Sequence, residues 1–177
     1  MVYIDLQYGV GMDDITALIM EEHHAFRLGF ARLDDARGKQ QLKAIWEPLS
    51  LHLEIHAEAE ERILYPHLLR RGGDGATEET DDAIRDHNKI RDWIVEAGRH
   101  PIGSQRWWAG VWAARRENSE HLAEEEDEAL PDFRQHADLD LRVELGARWL
   151  TFYGEHPSGR GLQFQNKDVK RYIEENR

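Results

Sequence analysis

The chain of 177 residues contains no cysteine. That absence excludes disulfides, iron–sulfur clusters, thiolate-bearing zinc sites and thiol nucleophiles together. Any tightly held metal must therefore take histidine and carboxylate. Positive charge is also scarce: 23 Lys and Arg face 35 Asp and Glu, leaving a net charge of −12. Such a surface repels nucleic acid and anionic membranes. No apolar run approaches the length of a membrane span. The N-terminus, interrupted by Asp5, Asp13 and Asp14, sets no basic segment before an apolar stretch, so no secretory leader is read there and a cytoplasmic location is expected.

What is present is enough to fold. The length suits one domain and 40% of the residues are hydrophobic, which provides a core rather than a disordered chain. Helical periodicity dominates and no strand signal stands out. Met12 to Ala36 reads as a first helix, with Asp13 or Asp14 at its N-cap, Ile15, Ile19, Phe26, Phe30 and Leu33 on one stripe, and Gly38 closing it. Gln40 to Arg71 reads as a second, with Ile45, Leu49, Leu53, Ile63 and Leu64 inward and Pro66 set to bend it or end it early. After the Gly72-Gly73 breaker, a third helix covers Glu78 to Ala97, and a fourth runs from Gln105 to Leu130 with Pro131 at its end. A shorter helix over Leu139 to Tyr153 and a terminal one near Lys167 to Asn176 follow. The expected fold is all-α: an antiparallel up-down-up-down four-helix bundle over residues 1–135, with a C-terminal helix and tail over residues 136–177 packing on it.

The ten histidines are not scattered. His56-Ala-Glu-Ala-Glu60-Glu-Arg-Ile-Leu-Tyr-Pro66 and His121-Leu-Ala-Glu-Glu125-Glu-Asp-Glu-Ala-Leu-Pro131 share the outline H-x-x-x-E-E-x-x-x-x-P. Upstream, Glu22-His23-His24-Ala-Phe-Arg27 parallels Asp86-His87-Asn88-Lys-Ile-Arg91. The chain reads as a helical hairpin written twice, each copy supplying one lone His and one His-x-x-x-Glu. Residues equally distant from a turn in antiparallel helices lie at one height, because every helix rises at the same rate. Midway between successive members of the set lie the surroundings of Gly38, then Gly72-Gly73, then Gly103-Ser104. Four helices thus bring His23, His56, Glu60, His87, His121 and Glu125 to one layer.

Residues four apart share a helix face, so each His–Glu pair points one way. His23 stands between Ile19 and Phe26, and His87 between Ile84 and Ile90, so the layer falls on the apolar stripes. Burying carboxylates with imidazoles is costly unless something neutralises them, and a pair of cations does so. Imidazole with carboxylate suits iron, manganese or zinc.

This set, His23, His56-x-x-x-Glu60, His87 and His121-x-x-x-Glu125, resembles the hemerythrin-like, or HHE cation-binding, domain family over roughly residues 12 to 135. The resemblance implies two iron ions joined by an oxo or hydroxo bridge, with zinc or manganese as alternatives. The four histidines would be terminal ligands, and Glu60 and Glu125 would bridge. It also implies O2, peroxide or nitric oxide as small-molecule partners. Catalase-like peroxide decomposition is the first expectation, and binding or sensing without turnover is the alternative. Oxygen-carrying members have a further His where this chain has Arg91, and an aspartate where it has Glu126. Fewer histidines leave more coordination positions open, which favours redox chemistry or sensing over simple oxygen carriage.

The neighbours are read as follows. His23 is preferred to His24 because the repeat aligns His24 with Asn88. His52 and Glu117, each one turn before a ligand His, are expected to be ordinary hydrogen-bonded side chains, with direct or indirect contact to metal left open. His67 falls at a helix end, and His100, His136 and His156 in connections. Trp107, Trp108 and Trp112 are expected to pack in the core or at an interface. The run Glu124 to Glu128 is expected to be solvated apart from Glu125, and Tyr65 is expected near the bundle end. The glycine-rich tail after Pro157 either covers one bundle end or joins two copies into a homo-oligomer.

Overall fold

The computed structural model describes residues 13–177; the expected helix start at Met12 and the N-terminal residue Asp5 lie outside them. Among the described residues the protein is all-helical. Its elements are α1 (Ile15–Asp35), α2 (Gly38–Ala59), a π turn (Glu60–Leu64), α3 (Tyr65–Arg71), α4 (Ala76–Gly98), α5 (Gln105–Glu124), a second π turn (Glu125–Ala129), α6 (Leu130–His136), α7 (Leu139–Glu155) and α8 (Val169–Asn176). None of these helices is long and apolar enough to cross a membrane.

Helix starts follow their capping chemistry. Asp14, Ser104, Asp138 and Asp168 each accept a hydrogen bond from a first-turn backbone N–H, opening α1, α5, α7 and α8. Of the two prolines, Pro131 departs from expectation, and Pro66 leaves its helix running to Arg71. Pro66 does not end its helix, and Pro131 does not end the next, which runs on to His136. A proline lacks the N–H that a helix needs and crowds the preceding turn. Both helices absorb this with one wider turn: the Tyr65 N–H reaches back to the Glu60 carbonyl, and the Leu130 N–H to that of Glu125. Each π turn begins on the glutamate of a His-x-x-x-Glu pair, and such insertions recur at functional sites.

The core is two apolar clusters with a polar layer between them. One joins Ile15 and Ile19 of α1 to Ile55, Ala59, Ile63 and Leu64, to Ala83 and Ile84 of α4, and to Ala129, Leu130 and Phe133. The other joins Phe26, Phe30 and Leu33 to Leu42, Trp46, Leu49 and Leu53, and Ala97 to Trp107 and Val111. The start of α1 therefore meets the end of α2 and the end of α1 meets its start, so the two run antiparallel, as do α4 and α5. On α2 the inward stripe is Leu42, Trp46, Leu49 and Leu53, with Ile45 only half-buried. Trp107 is core, whereas Trp112 is 57% exposed and stacks on Trp108.

The C-terminal segment folds back on the same helices. Arg134 and Arg142 each place a guanidinium nitrogen 3.2 Å from Asp14, and Trp149, Phe152, Tyr172 and Ile173 enter the first apolar cluster. Helix α7 approaches the head of α1 closely: a Cβ on Gly146 would fall 1.7 Å from the Asp13 carbonyl oxygen. Only glycine permits that contact.

Candidate metal centre

The structure brings all six expected residues together, none more than 3% exposed. His23, His56, Glu60 and Glu125 each present one ligand atom within 4.8 Å of the others, and Glu60, His87 and His121 do the same. Glu60 belongs to both groups because its two oxygens face opposite ways. Oε1 lies 2.9 Å from His56 Nε2 and 4.0 Å from His23 Nε2. Oε2 lies 3.1 Å from His87 Nε2 and 3.9 Å from His121 Nε2. Glu125 is arranged otherwise. Its Oε2 is 3.2 Å from His23 Nε2 and 3.9 Å from His121 Nε2, while Oε1 accepts a 2.9 Å hydrogen bond from the Tyr65 hydroxyl.

These atoms are close but not paired. His23 Nε2, His56 Nε2, both oxygens of Glu60 and Oε2 of Glu125 are buried without a hydrogen-bond partner, and His87 Nε2 faces His121 Nε2 at 3.1 Å. Five orphaned polar atoms turned onto one spot would be a heavy desolvation cost in an ordinary core. The spacing explains them: two ligand atoms each ~2.1 Å from one ion sit about 3.0 Å apart at a right angle. Separations of 2.9, 3.1 and 3.2 Å match that edge. The donor set of imidazoles and carboxylates, with no thiolate, fits iron, manganese or zinc.

The opposite ring nitrogens are held from outside. His23 Nδ1 donates to Glu126 at 2.9 Å, His56 Nδ1 to Glu22 at 2.8 Å and His87 Nδ1 to Glu61 at 2.9 Å. A carboxylate on Nδ1 fixes the tautomer that leaves Nε2 bare for metal and makes it a better donor. Burial alone would push Glu22 and Glu61 up. Hydrogen bonds from His52 and His56 nevertheless hold Glu22 down at about 2, and His87 with Arg91 does the same for Glu61. Burial would likewise depress His56, but the Glu60 and Glu22 carboxylates raise it to about 10. Burial also works against His87, which the Glu60 and Glu61 carboxylates raise.

The outer residues correct the readings of Glu126 and Tyr65. Glu126 is not simply solvated with the rest of its run: it bonds His23 and Arg27. Tyr65 is fully buried against Glu125 rather than marking a bundle end, and burial beside that carboxylate keeps its hydroxyl protonated far above ordinary pH. His52 reaches Glu22 at 3.3 Å and so touches a partner of His56 rather than the central layer. Glu117 pairs with Arg116, and His24 is exposed. Arg91 points both terminal nitrogens at Glu61, 3.0 Å away. Glu61 and Glu126 were legible in principle, since both follow the ligand glutamate in the repeat. Glu22 precedes His23 as Asp86 precedes His87, but Asp86 bonds Lys89 and the matching link to His121 does not form.

Two cavities touch the layer. One of about 240 Å³, walled by Glu78, Glu79, Asp82, Glu124 and Glu128, reaches His121 and Glu125 from outside. Burial and the nearby Asp132 raise Glu79 in its wall to about 7. The other, of about 10 Å³, lies against His56, His87 and His121 beside Leu53, Ile90 and Asn118.

Fold and layer together define a helical protein with a buried histidine–carboxylate centre that could hold metal. The chain belongs to the hemerythrin HHE cation-binding domain family, whose sequence pattern matches residues 14–133. No curated protein and no solved structure matches it.

Proposed function

We propose that this protein binds two iron ions and uses them on O2, peroxide or nitric oxide, with peroxide decomposition as the principal reaction. The observation that carries the reading is the set of five unpartnered buried ligand atoms, converging at coordination-edge distances. In this reading His23 and His56 hold one ion and His87 and His121 the other. Glu60, whose oxygens face the two histidine pairs, and Glu125 would be the carboxylates shared between the ions. In the domain assigned to residues 1–135, the described helices form an up-down-up-down bundle around the pair, residues 136–177 are its extension, and the protein works in the cytoplasm.

When bound, a di-iron pair supplies a two-electron change, enough to reduce one hydrogen peroxide to two waters and to oxidise a second to O2. The chain's own residues bind, orient and enclose. Glu126, Glu22 and Glu61 orient three of the four imidazoles. Tyr65 keeps a proton on its hydroxyl, directed at Glu125 Oε1. The void of about 10 Å³ beside His56, His87 and His121 has room for one molecule the size of water.

The test is metal analysis of the purified protein with its visible spectrum, followed by O2 release on adding peroxide. About two irons per chain, near-ultraviolet charge-transfer bands and O2 release abolished in Glu60→Ala are expected. Zinc alone would remove the redox reading. Two irons with reversible spectral change and no peroxide turnover would replace it with a binding or sensing role.

A further inference from the structure

The family match ends at residue 133, yet the chain beyond it reaches the residues that orient the ligand histidines. On one side, α7 places the Trp149 indole N–H 2.8 Å from Glu22 Oε1 and directs the Tyr153 hydroxyl at Glu22 Oε2. Glu22 is the carboxylate that holds His56. On the other side, the segment between α7 and α8 carries Lys167 to the layer. Its backbone is clamped by Asn88, which donates to the Lys167 carbonyl and accepts from the Lys167 N–H, both at 2.9 Å. Asn88 is the residue after His87, so the clamp sets Lys167 at ligand height. Its Nζ then lies 2.7 Å from Glu61 Oε2 and 2.6 Å from Glu58 Oε1. Glu61 is the carboxylate that holds His87, and the Tyr172 hydroxyl fixes its backbone by donating to its carbonyl at 2.6 Å.

The cation meets buried negative charge there. Glu58 and Glu61 are buried together, 1% and 3% exposed. Arg91 is the buried cation facing both from α4, and Arg62, half-exposed on the helix itself, touches only Glu58. With Arg62 reaching Glu58 from the solvent side, Arg91 is, among the described residues, the one guanidinium that faces Glu61. Lys167, three-quarters covered, adds a second cation beside it.

We propose that the C-terminal extension is part of the metal centre. In this reading, which rests on metal binding by the six-residue layer, Lys167, Tyr153 and Trp149 are positioning residues that set the carboxylates behind His87 and His56. The extension is then more than a cover for the apolar cluster, and the core family pattern alone does not complete the site.

The experiment measures cobalt(II) affinity of the full-length protein against a chelator of known strength, read from cobalt absorption, alongside melting of the metal-free form. Lys167→Met and Tyr153→Phe are expected to weaken cobalt binding by about tenfold each, the low end for residues acting through a ligand's partner. Lys167→Arg should restore most of the loss. In a Glu61→Gln background Lys167→Met should add little, because the Glu61 charge through which Lys167 acts is already gone. Leu145→Ala, which removes only apolar packing under α7, should lower the melting temperature and leave cobalt affinity alone. Cobalt uptake unchanged in both Lys167→Met and Tyr153→Phe would overturn the inference while leaving the metal centre standing. Equal loss in Leu145→Ala would reduce the extension to packing and overturn it as well. A wild-type chain that takes up no cobalt would overturn the metal reading itself.

Discussion

The carboxylates behind His23 and His87 occupy the same place in the repeat but different surroundings, and that difference sets the size of what each contributes. Glu126 touches His23 Nδ1 at 2.9 Å, with its side chain 21% exposed and the same oxygen shared with the half-exposed Arg27. Glu61 touches His87 Nδ1 at 2.9 Å with its side chain fully buried. Replacing either by glutamine keeps an oxygen able to accept the Nδ1–H but removes the negative charge. Losing such a partner costs roughly 10- to 100-fold in metal affinity. Electrostatic contacts weaken where water reaches them, so Glu126→Gln belongs near the lower bound, about 1.4 kcal/mol. Glu61→Gln belongs near the upper, about 2.7 kcal/mol. Chelator competition with iron(II) or zinc(II) measures both, and the melting of the metal-free variants separates affinity from folding. Affinities equal to wild type in both variants, or a larger loss at the exposed position, would refute the assignment of these carboxylates as supports of the ligand imidazoles.

Other consequences can be checked in the same way. Tyr65→Phe removes the one hydrogen bond to Glu125 Oε1; it should cost about 1 to 2 kcal/mol in the metal-free protein, read by denaturant melts. That variant should also alter the rate of peroxide turnover with little loss of iron. His56, raised to about 10 in the metal-free protein, carries a proton that metal must displace. Uptake should therefore acidify an unbuffered solution, and affinity should climb with pH until about 10. The sign for stability is the reverse. A raised histidine stabilises the metal-free fold below its unfolded value of about 6.5, and that contribution fades as pH rises through about 10. Gly146→Ala must push α7 off the Asp13 carbonyl. It should cost on the order of 1–3 kcal/mol, as overpacking does, visible as a lower melting temperature.

The convergence of the six residues on one layer is legible in the sequence because three periodicities agree there. His23 sits on an apolar stripe, His56 and Glu60 share a face, and the repeat with its glycine turns puts both hairpins at one height. Local rules of this kind depend only on helix geometry, which every residue obeys alike. The fate of Pro66 and Pro131 was not readable, because a missing N–H can be met by stopping the helix or by widening one turn. Packing of Tyr65 and Leu68, and of Leu130 and Phe133, into the core on either side of each proline decides for the wider turn. That same turn carries Tyr65 back to Glu125.

What the sequence by itself determined, then, was the helical class, the family and the six residues that converge. Tertiary structure alone decided how they are supported. Which carboxylate backs which imidazole depends on pairs as far apart as His23 and Glu126 or Lys167 and Glu61, and no spacing rule relates them. Glu60 faces both histidine pairs, whereas Tyr65 takes one oxygen of Glu125, so two glutamates alike in sequence become unlike in the layer. The extension shows the same division. Its helices could be read from their caps and stripes, but the arrival of Trp149, Tyr153 and Lys167 beside Glu22 and Glu61 required the chain to fold back over α1 and α4. That outcome is set by the shape of the surface they meet and the charge buried beneath it.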